Sequence, residues 1–374
     1  MHGQWIGKYE GTNNGSIIVN IDNRGDYYEG VAYLFDSITN LPNLVADFRT
    51  ANKDRTFKIR TRTIMPINPR NRIIDTWENC KSLYSANIII PNHADVEGEW
   101  DEESLSLKWV TDIGTSSFCK LPKTNANKPS EYKPINKDWN GFKEYVSKLE
   151  GRKILFRGQN NPWRLRTAFH RTGRADLIRF TKEDVPALYR VLSARTKHVF
   201  NLDLPNENGA FYNLLQHHGY PTPLLDWTCS PYIAIAAFFA YRGIDLNRIK
   251  LSKDDEKVRV LAFEYEQWKS DFEQILQLDV TIPHLSTCEL IAIDNERMVP
   301  QQSVSMFTNI DDIETYIRSK ETNGKKYLTV IDLPVKERAK VIRELSFMGI
   351  TAGSLFPGLD GACEELKERF FNLE

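Results

Sequence analysis

The chain has 374 residues, 41% of them hydrophobic, enough to bury more than one core, so two domains are expected. A net charge of -1 excludes a bulk polycation, and any nucleic-acid role must rest on local patches. No apolar run approaches membrane-spanning length and the start, MHGQWIGKYE, lacks a leader pattern, so a cytoplasmic protein with no membrane partner is expected. The cysteines at 80, 119, 229, 288 and 363 form no CxxC pair; reduced thiols and no metal are the expectation.

Residues 1–122 read as an all-β accessory domain for target recognition. Gln4–Glu10, Ser16–Ile21, Tyr27–Leu34, Thr56–Thr63 and Ser104–Thr111 alternate or are rich in β-branched and aromatic residues, and turn-formers separate them. Two glycine–tryptophan patches, Gly3 to Trp5 and Glu97 to Trp100, bracket the region. They suggest first and last strands that meet and close an antiparallel barrel or clamshell. On one strand face stand Lys58, Arg60 and Arg62, a row that could track a phosphate backbone. Charge guarding an edge strand accounts for the same pattern, and more commonly.

Residues 123–137 read as a linker, with Pro129 and Pro134 among lysines and asparagines, and 138–374 as a second domain. There Asp138 or Asn140 caps a helix, and Lys153–Gly158 is a buried strand ending in Arg157 and Gly158. From Arg152 to Arg179 arginines dominate over one acid, Asp176, a balance that suits anion binding; Arg164 and Arg166 are candidate nucleic-acid contacts. Helices are predicted over Asp184–Val199 and Ala210–His218, the second stopped by Gly219. Leu224–Leu225 reads as a short strand followed by Asp226, Trp227 and Thr228. Ser230 and Pro231 then open an apolar helix over Tyr232–Tyr241. A polar cluster at the amino end of a buried helix suits an anion, although Asp226, Thr228 and Ser230 could serve only as caps. Residues 244–257 read as a charged excursion. Further strands are expected at Arg259–Glu264, Glu289–Asp294 and Tyr327–Ile331, and a helix from Pro334 to Gly349.

Phe156-Arg157-Gly158 resembles the signature of the FRG-domain family. The resemblance continues through Gln216-His217-His218-Gly219, Leu224 to Thr228 with Ser230-Pro231, Asn295-Glu296-Arg297 leading to Gln301-Gln302, and Gly349 and Leu355 to Asp360. The order of these motifs is similar to that of the ADP-ribosyltransferase fold, which implies a mixed α/β split-sheet domain; with the β barrel or clamshell read from residues 1–122, the chain is expected to be α+β. The likeness implies NAD as substrate and places Phe156, Arg157, Gly158, Asp226, Trp227, Thr228 and Ser230 around it, with Arg157 on the pyrophosphate. Gln301 or Gln302 stands where a catalytic glutamate would bind the ribose hydroxyl. An amide can hold a hydroxyl yet cannot act as a base, so His217, His218, Asp226 or Glu296 remains for that step. The function this implies is an ADP-ribosyltransferase, a bacterial toxin or phage-defence effector modifying DNA, RNA or protein. A non-catalytic nucleotide-binding module and an NAD glycohydrolase are the alternatives.

Overall fold

The computed structural model describes residues 1–151, 153–233, 237–244, 249 and 255–371. Arg152, the middle of the predicted helix over 232–241 and most of the charged excursion lie outside these residues.

The first unit is one antiparallel sheet of nine strands: β1 (Gly3–Gly11), β2 (Gly15–Asn23), β3 (Tyr28–Asp36), β4 (Leu44–Arg49), β5 (Thr56–Arg60), β6 (Thr63–Pro66), β7 (Ala94–Trp100), β8 (Ser104–Thr111) and β9 (Ser116–Pro122). Their order is β5-β7-β8-β9-β1-β2-β3-β4-β6. The first strand does meet the last, Tyr9 opposite Cys119, but the closing strand is β9; the patch at 97–100 lies in β7, farther along the sheet. The predicted strand Thr56–Thr63 is broken in two. At the corner, the Thr61 N–H bonds the Ala94 carbonyl at 2.9 Å and the Arg62 N–H bonds the Asp47 carbonyl at 2.8 Å. One stretch of chain thus passes from the β7 edge to the β4 edge, and the sheet curls around an apolar interior built on Ile17, Val19, Ile21, Leu105 and Leu107. Because strand side chains alternate, the intervening Ile18, Asn20 and Asp22 of β2 face the other way, and they too are buried.

What buries them is the second unit. Asp22 accepts the Ala175 N–H at 2.9 Å and the Arg174 Nε at 3.0 Å, Glu29 meets Arg179 at 2.5 Å, and Gln4 donates to the Asn309 carbonyl at 2.8 Å. Burial raises the Asp176 carboxyl in this interface from 3.8 to about 6, with the Arg179 N–H bond opposing and the charge of Asp22 adding. A carboxyl whose folded pKa lies above its unfolded one favours the folded state while protonated. Its contribution is therefore full below the unfolded value near pH 4 and is lost as pH rises through 6, a change of about 3 kcal/mol. Asp176→Asn keeps the cap on the Arg179 N–H. Melting at pH 4.5 and 7.5 is expected to show the variant gaining stability over the wild type at the higher pH only.

The second unit carries β10 (Ile135–Asn136), β11 (Ile154–Gln159), β12 (Leu224–Thr228), β13 (Lys257–Glu264), β14 (Leu285–Cys288), β15 (Ser303–Thr308) and β16 (Leu328–Pro334), in the order β10-β16-β13-β11-β12-β15-β14. All neighbours are antiparallel except β10 with β16. β11 and β12 share a single pair, Phe156 with Thr228, so the sheet parts there into a four-strand and a three-strand portion. One face, with Phe156, Val260 and Ile331, is covered by the helices Trp139–Ser147 and Arg338–Phe347. The other, with Leu155, Trp227, Leu261 and Met306, is covered by Trp268 and the helix Ile313–Lys320.

Local signals hold where capping decides them. Asp138 accepts the Gly141 N–H at 2.8 Å and starts its helix. The helix predicted over Asp184–Val199 covers Val185–Leu192, and that over Ala210–His218 covers Pro205–His217, proline taking its first turn. Glu289–Asp294 is not a strand: β14 ends at Cys288, and the run leaves the sheet while Leu290 and Ile293 still pack against the Phe211 cluster. The segment predicted as a linker lies along the second unit, with Ser130 bonded to Glu314, Glu131 paired with Arg318, and β10 added to the sheet edge.

Candidate functional site

The quoted motifs come together on three neighbouring strands. Arg157 is on β11, Asp226 and Thr228 are on β12, and Gln301 and Gln302 immediately precede β15, where Ser303 pairs with Thr228. Beyond Phe156 the two strands diverge, so β12 carbonyls on that side have no sheet partner. The Arg157 guanidinium fills this opening and its Nη1 bonds the Asp226 carbonyl at 2.5 Å.

Arg157 is otherwise short of partners. Its Nε is buried with none, and no carboxylate among the described residues lies within ion-pair distance. Burial lowers its pKa to about 10, with the Asp226 charge opposing and Arg171 adding. The buried arginines Arg164, Arg259 and Arg338, by contrast, face carboxylates at 2.6–2.8 Å. A desolvated cation without a counter-ion is costly, and a bound anion removes that cost. Arg157 as a whole residue is half-buried.

Other buried side-chain atoms without a partner include Gln159 Oε1 on the same strand, Asp226 Oδ1 of the residue whose carbonyl Arg157 holds, His217 Nε2 and Ser303 Oγ. Buried polar atoms are ordinarily paired, so each of these is a candidate to meet a bound molecule. Burial lowers the His217 pKa from 6.5, Asp226 opposes, and Arg297 and His218 add to the lowering, so the imidazole is neutral at pH 7. Arg297 donates to the His217 carbonyl at 3.4 Å. Beside this histidine opens a cleft of about 490 Å³ rimmed by Arg195, Lys197, His218, Glu296 and Arg297.

Other predicted residues have structural occupations. Phe156 and Trp227 are core side chains. Thr228 is fully buried and its hydroxyl accepts the Ser230 N–H at 3.2 Å; the Ser230 hydroxyl accepts the N–H groups of Tyr232 and Ile233 at 3.3 and 3.2 Å. Both hydroxyls are thus taken by backbone N–H groups of a turn, while the described helix begins at Ala237. Gly158, just past the single β11–β12 pair, is half-buried. Gln301 is buried and donates to the Leu355 carbonyl at 3.0 Å, whereas Gln302 is exposed at a left-handed φ of 46°, its carbonyl taking the Cys229 N–H. His218 is exposed.

The basic residues singled out in the sequence are all paired. Lys58 meets Glu97 at 2.5 Å, Arg60 meets Asp95 at 2.8 Å, and Arg62 meets Glu29 at 2.6 Å, the first two across an edge strand. Arg164 and Arg166 face Asp312 and Asp311 at 2.8 and 2.6 Å. Three site residues were not assigned from sequence: Gln159, Ser303 and Arg297. Each adjoins or lies in a quoted motif, and that adjacency was the available signal.

The family comparison falls on this opening. Residues 152–248 match the FRG domain family. The FRG match includes Arg157, His217, Asp226 and Ser230, while Arg297, Gln301, Gln302 and Ser303 lie beyond it. Among curated proteins no relative matches the chain. Among solved structures, a redesigned beta barrel, mFAP1, bound to DFHBI, is similar at 11% identity over 32% of this chain and 93% of that one, with a TM-score of 0.22. No helix among the described residues is long and apolar enough to cross a membrane, and none of their His, Cys, Asp and Glu side chains cluster to hold a metal ion.

Proposed function

We propose that the unit containing the FRG match is an NAD-dependent ADP-ribosyltransferase whose pocket opens where β11 and β12 part. The observation that carries this reading is Arg157, a desolvated guanidinium with a carbonyl for a partner and no carboxylate. It suits the NAD diphosphate, which a guanidinium grips in bidentate fashion. The meeting of three motifs on adjacent strands at a split sheet supports the same reading.

In the reaction the glycosidic C–N bond breaks, nicotinamide leaves with the electron pair, and an acceptor oxygen or nitrogen bonds the ribose carbon. The acceptor proton goes to His217, which is neutral and has a free Nε2. Gln302, the exposed amide, orients the ribose hydroxyl; Gln301 is committed elsewhere. Most of the acceleration comes from holding the diphosphate and shielding the charge that develops on the ribose. With a base whose pKa lies below 6.5, the rate is expected to stay level through neutral pH and fall only on the acid side of the ordinary histidine range.

Incubation with adenine-labelled NAD and DNA, RNA or cell lysate should release nicotinamide and label one acceptor class. No release, together with Arg157→Ala being as toxic in cells as the wild type, would overturn the proposal. The committed amide of Gln301 favours a second reading, a nucleotide-binding module without turnover. Its sign is a melting shift with ADP-ribose and no nicotinamide. Release of free ADP-ribose instead of labelled acceptor identifies an NAD glycohydrolase.

A further inference from the structure

The interior of the first unit is not filled. A cavity of about 80 Å³ runs between β2, β3, β4, β5, β6, β7 and β8. The register shows its two ends. Ile21 and Phe48 flank Gly30 at one level and are buried, whereas Leu34 and Leu44 pair at the other and are partly exposed, as are Ile64 and Trp109. The cavity is therefore closed at the first level and opens to solvent at the second. A small closed sheet leaves room for its own side chains or for one small ligand, and here the side chains stop short.

The chemistry of the wall restricts the ligand. No lining residue is charged. The two hydroxyl-bearing ones are already satisfied: Thr61 accepts the Ala94 N–H at 2.9 Å, and Thr111 shares a 2.6 Å bond with Thr115. A charged or strongly polar guest would lose its hydration and gain nothing in return. An apolar guest gains by removing Leu34, Ile64 and Trp109 from water, and cavities lined by aliphatic and aromatic groups stay dry and take up molecules of benzene size.

We propose that the curled sheet binds one small, uncharged, apolar molecule in its interior, of the size of a single aromatic ring or a short alkyl chain. Val19 and Ile21 of this wall alternate along β2 with Asp22, whose carboxylate bonds Arg174 and the Ala175 N–H of the second unit on the opposite face. This inference is independent of the reading of Arg157.

The test is calorimetric titration of the full chain with indole as the probe, followed by displacement with 1-octanol and octanoate. Saturable binding at one probe per chain is expected, displaced by octanol and at least tenfold less well by octanoate. Ala32→Phe, which places a ring in the cavity, is expected to weaken probe binding at least tenfold while circular dichroism and melting show a folded protein. Absence of saturable binding to the wild type, or full affinity in a folded Ala32→Phe, overturns the proposal. So does a probe that binds only as two chains associate, read by size exclusion. Should that variant not fold, methyl NMR of the wild type with indole decides: shifts at Ile17, Val19 and Ile21 support the site, and unmoved methyls overturn it.

Discussion

Arg157→Met is expected to abolish nicotinamide release, by roughly a hundredfold or more, without lowering the melting temperature. The two readouts separate because the side chain has two occupations. It bonds the Asp226 carbonyl across the parted strands, and it presents a desolvated charge with no carboxylate within ion-pair distance among the described residues, offset in part by the nearby Asp226 charge. Methionine nearly preserves the volume. Losing the bond to the carbonyl costs about 1–3 kcal/mol. Removing a desolvated charge returns a gain; even paired buried charges, replaced by apolar groups, have given neutral to stabilising changes on the order of 1–4 kcal/mol. Stability therefore stays level or rises while the diphosphate loses its anchor. Lysine is expected not to restore activity, since a point charge cannot make the planar, two-pronged contact. A fall in melting temperature of more than about 10 °C would mean that Arg157 is a strut holding the sheet, and the anion site would have to be abandoned.

Arg164→Ala is expected to destabilise the protein by about 3–5 kcal/mol, the cost of leaving a buried charge alone. Arg164 grips Asp312 through Nε and Nη2 at 2.8 and 3.1 Å and reaches the Thr315 hydroxyl at 2.7 Å and the Pro129 carbonyl at 3.2 Å. Asp312 in turn caps the helix Ile313–Lys320 through the Thr315 N–H. The arginine thus ties three segments together, and alanine would strand a carboxylate that is itself buried. Denaturant melts measure the loss. Fluorescence anisotropy with labelled DNA or RNA, at a temperature where the variant is folded, distinguishes this structural occupation from nucleic-acid contact. Unchanged affinity is expected, and a reduced salt slope would return Arg164 to a phosphate-binding role.

Pairing of this kind explains why charge was the least legible part of the sequence. The run from 152 to 179 holds one acid locally, yet its arginines meet Asp22, Glu29, Asp311 and Asp312, which the topology brings from both sides. Asp312 is 148 residues from Arg164 along the chain. The imbalance that suggested an anion-binding surface is a local count of a property that is settled non-locally. Among the described arginines of this run, Arg157 and Arg171 have no carboxylate within ion-pair distance; Arg171 is exposed, whereas Arg157 is half-buried in the motif Phe156-Arg157-Gly158.

The candidate site was legible in its anchor points and not in its working surface. Arg157, Asp226, His217 and the paired glutamines were all visible as motif residues: Arg157 and Asp226 lie on adjacent strands, His217 ends the helix before β12, and the glutamines immediately precede β15. Which side chain has a free polar atom was not visible. Thr228 and Ser230 have the same chemistry as many catalytic hydroxyls, but their backbone neighbours claim them first. Gln301 and Gln302 are adjacent and identical in type. A left-handed turn sends one to the Leu355 carbonyl and leaves the other in solvent.

By itself the sequence determined what is local: the β-branched run of β2, the alternation of β8, the cap at Asp138, the turn at Ser230, and the glycine that ends the helix at His217. These follow from interactions spanning a few residues, which any short window contains. The tertiary structure alone decided that one predicted strand breaks at Thr61 to join two sheet edges, that β11 and β12 meet at a single pair and then part, and that a hollow remains inside the first unit. Each of these depends on which distant strand becomes a neighbour, a choice set by the packing of the whole chain.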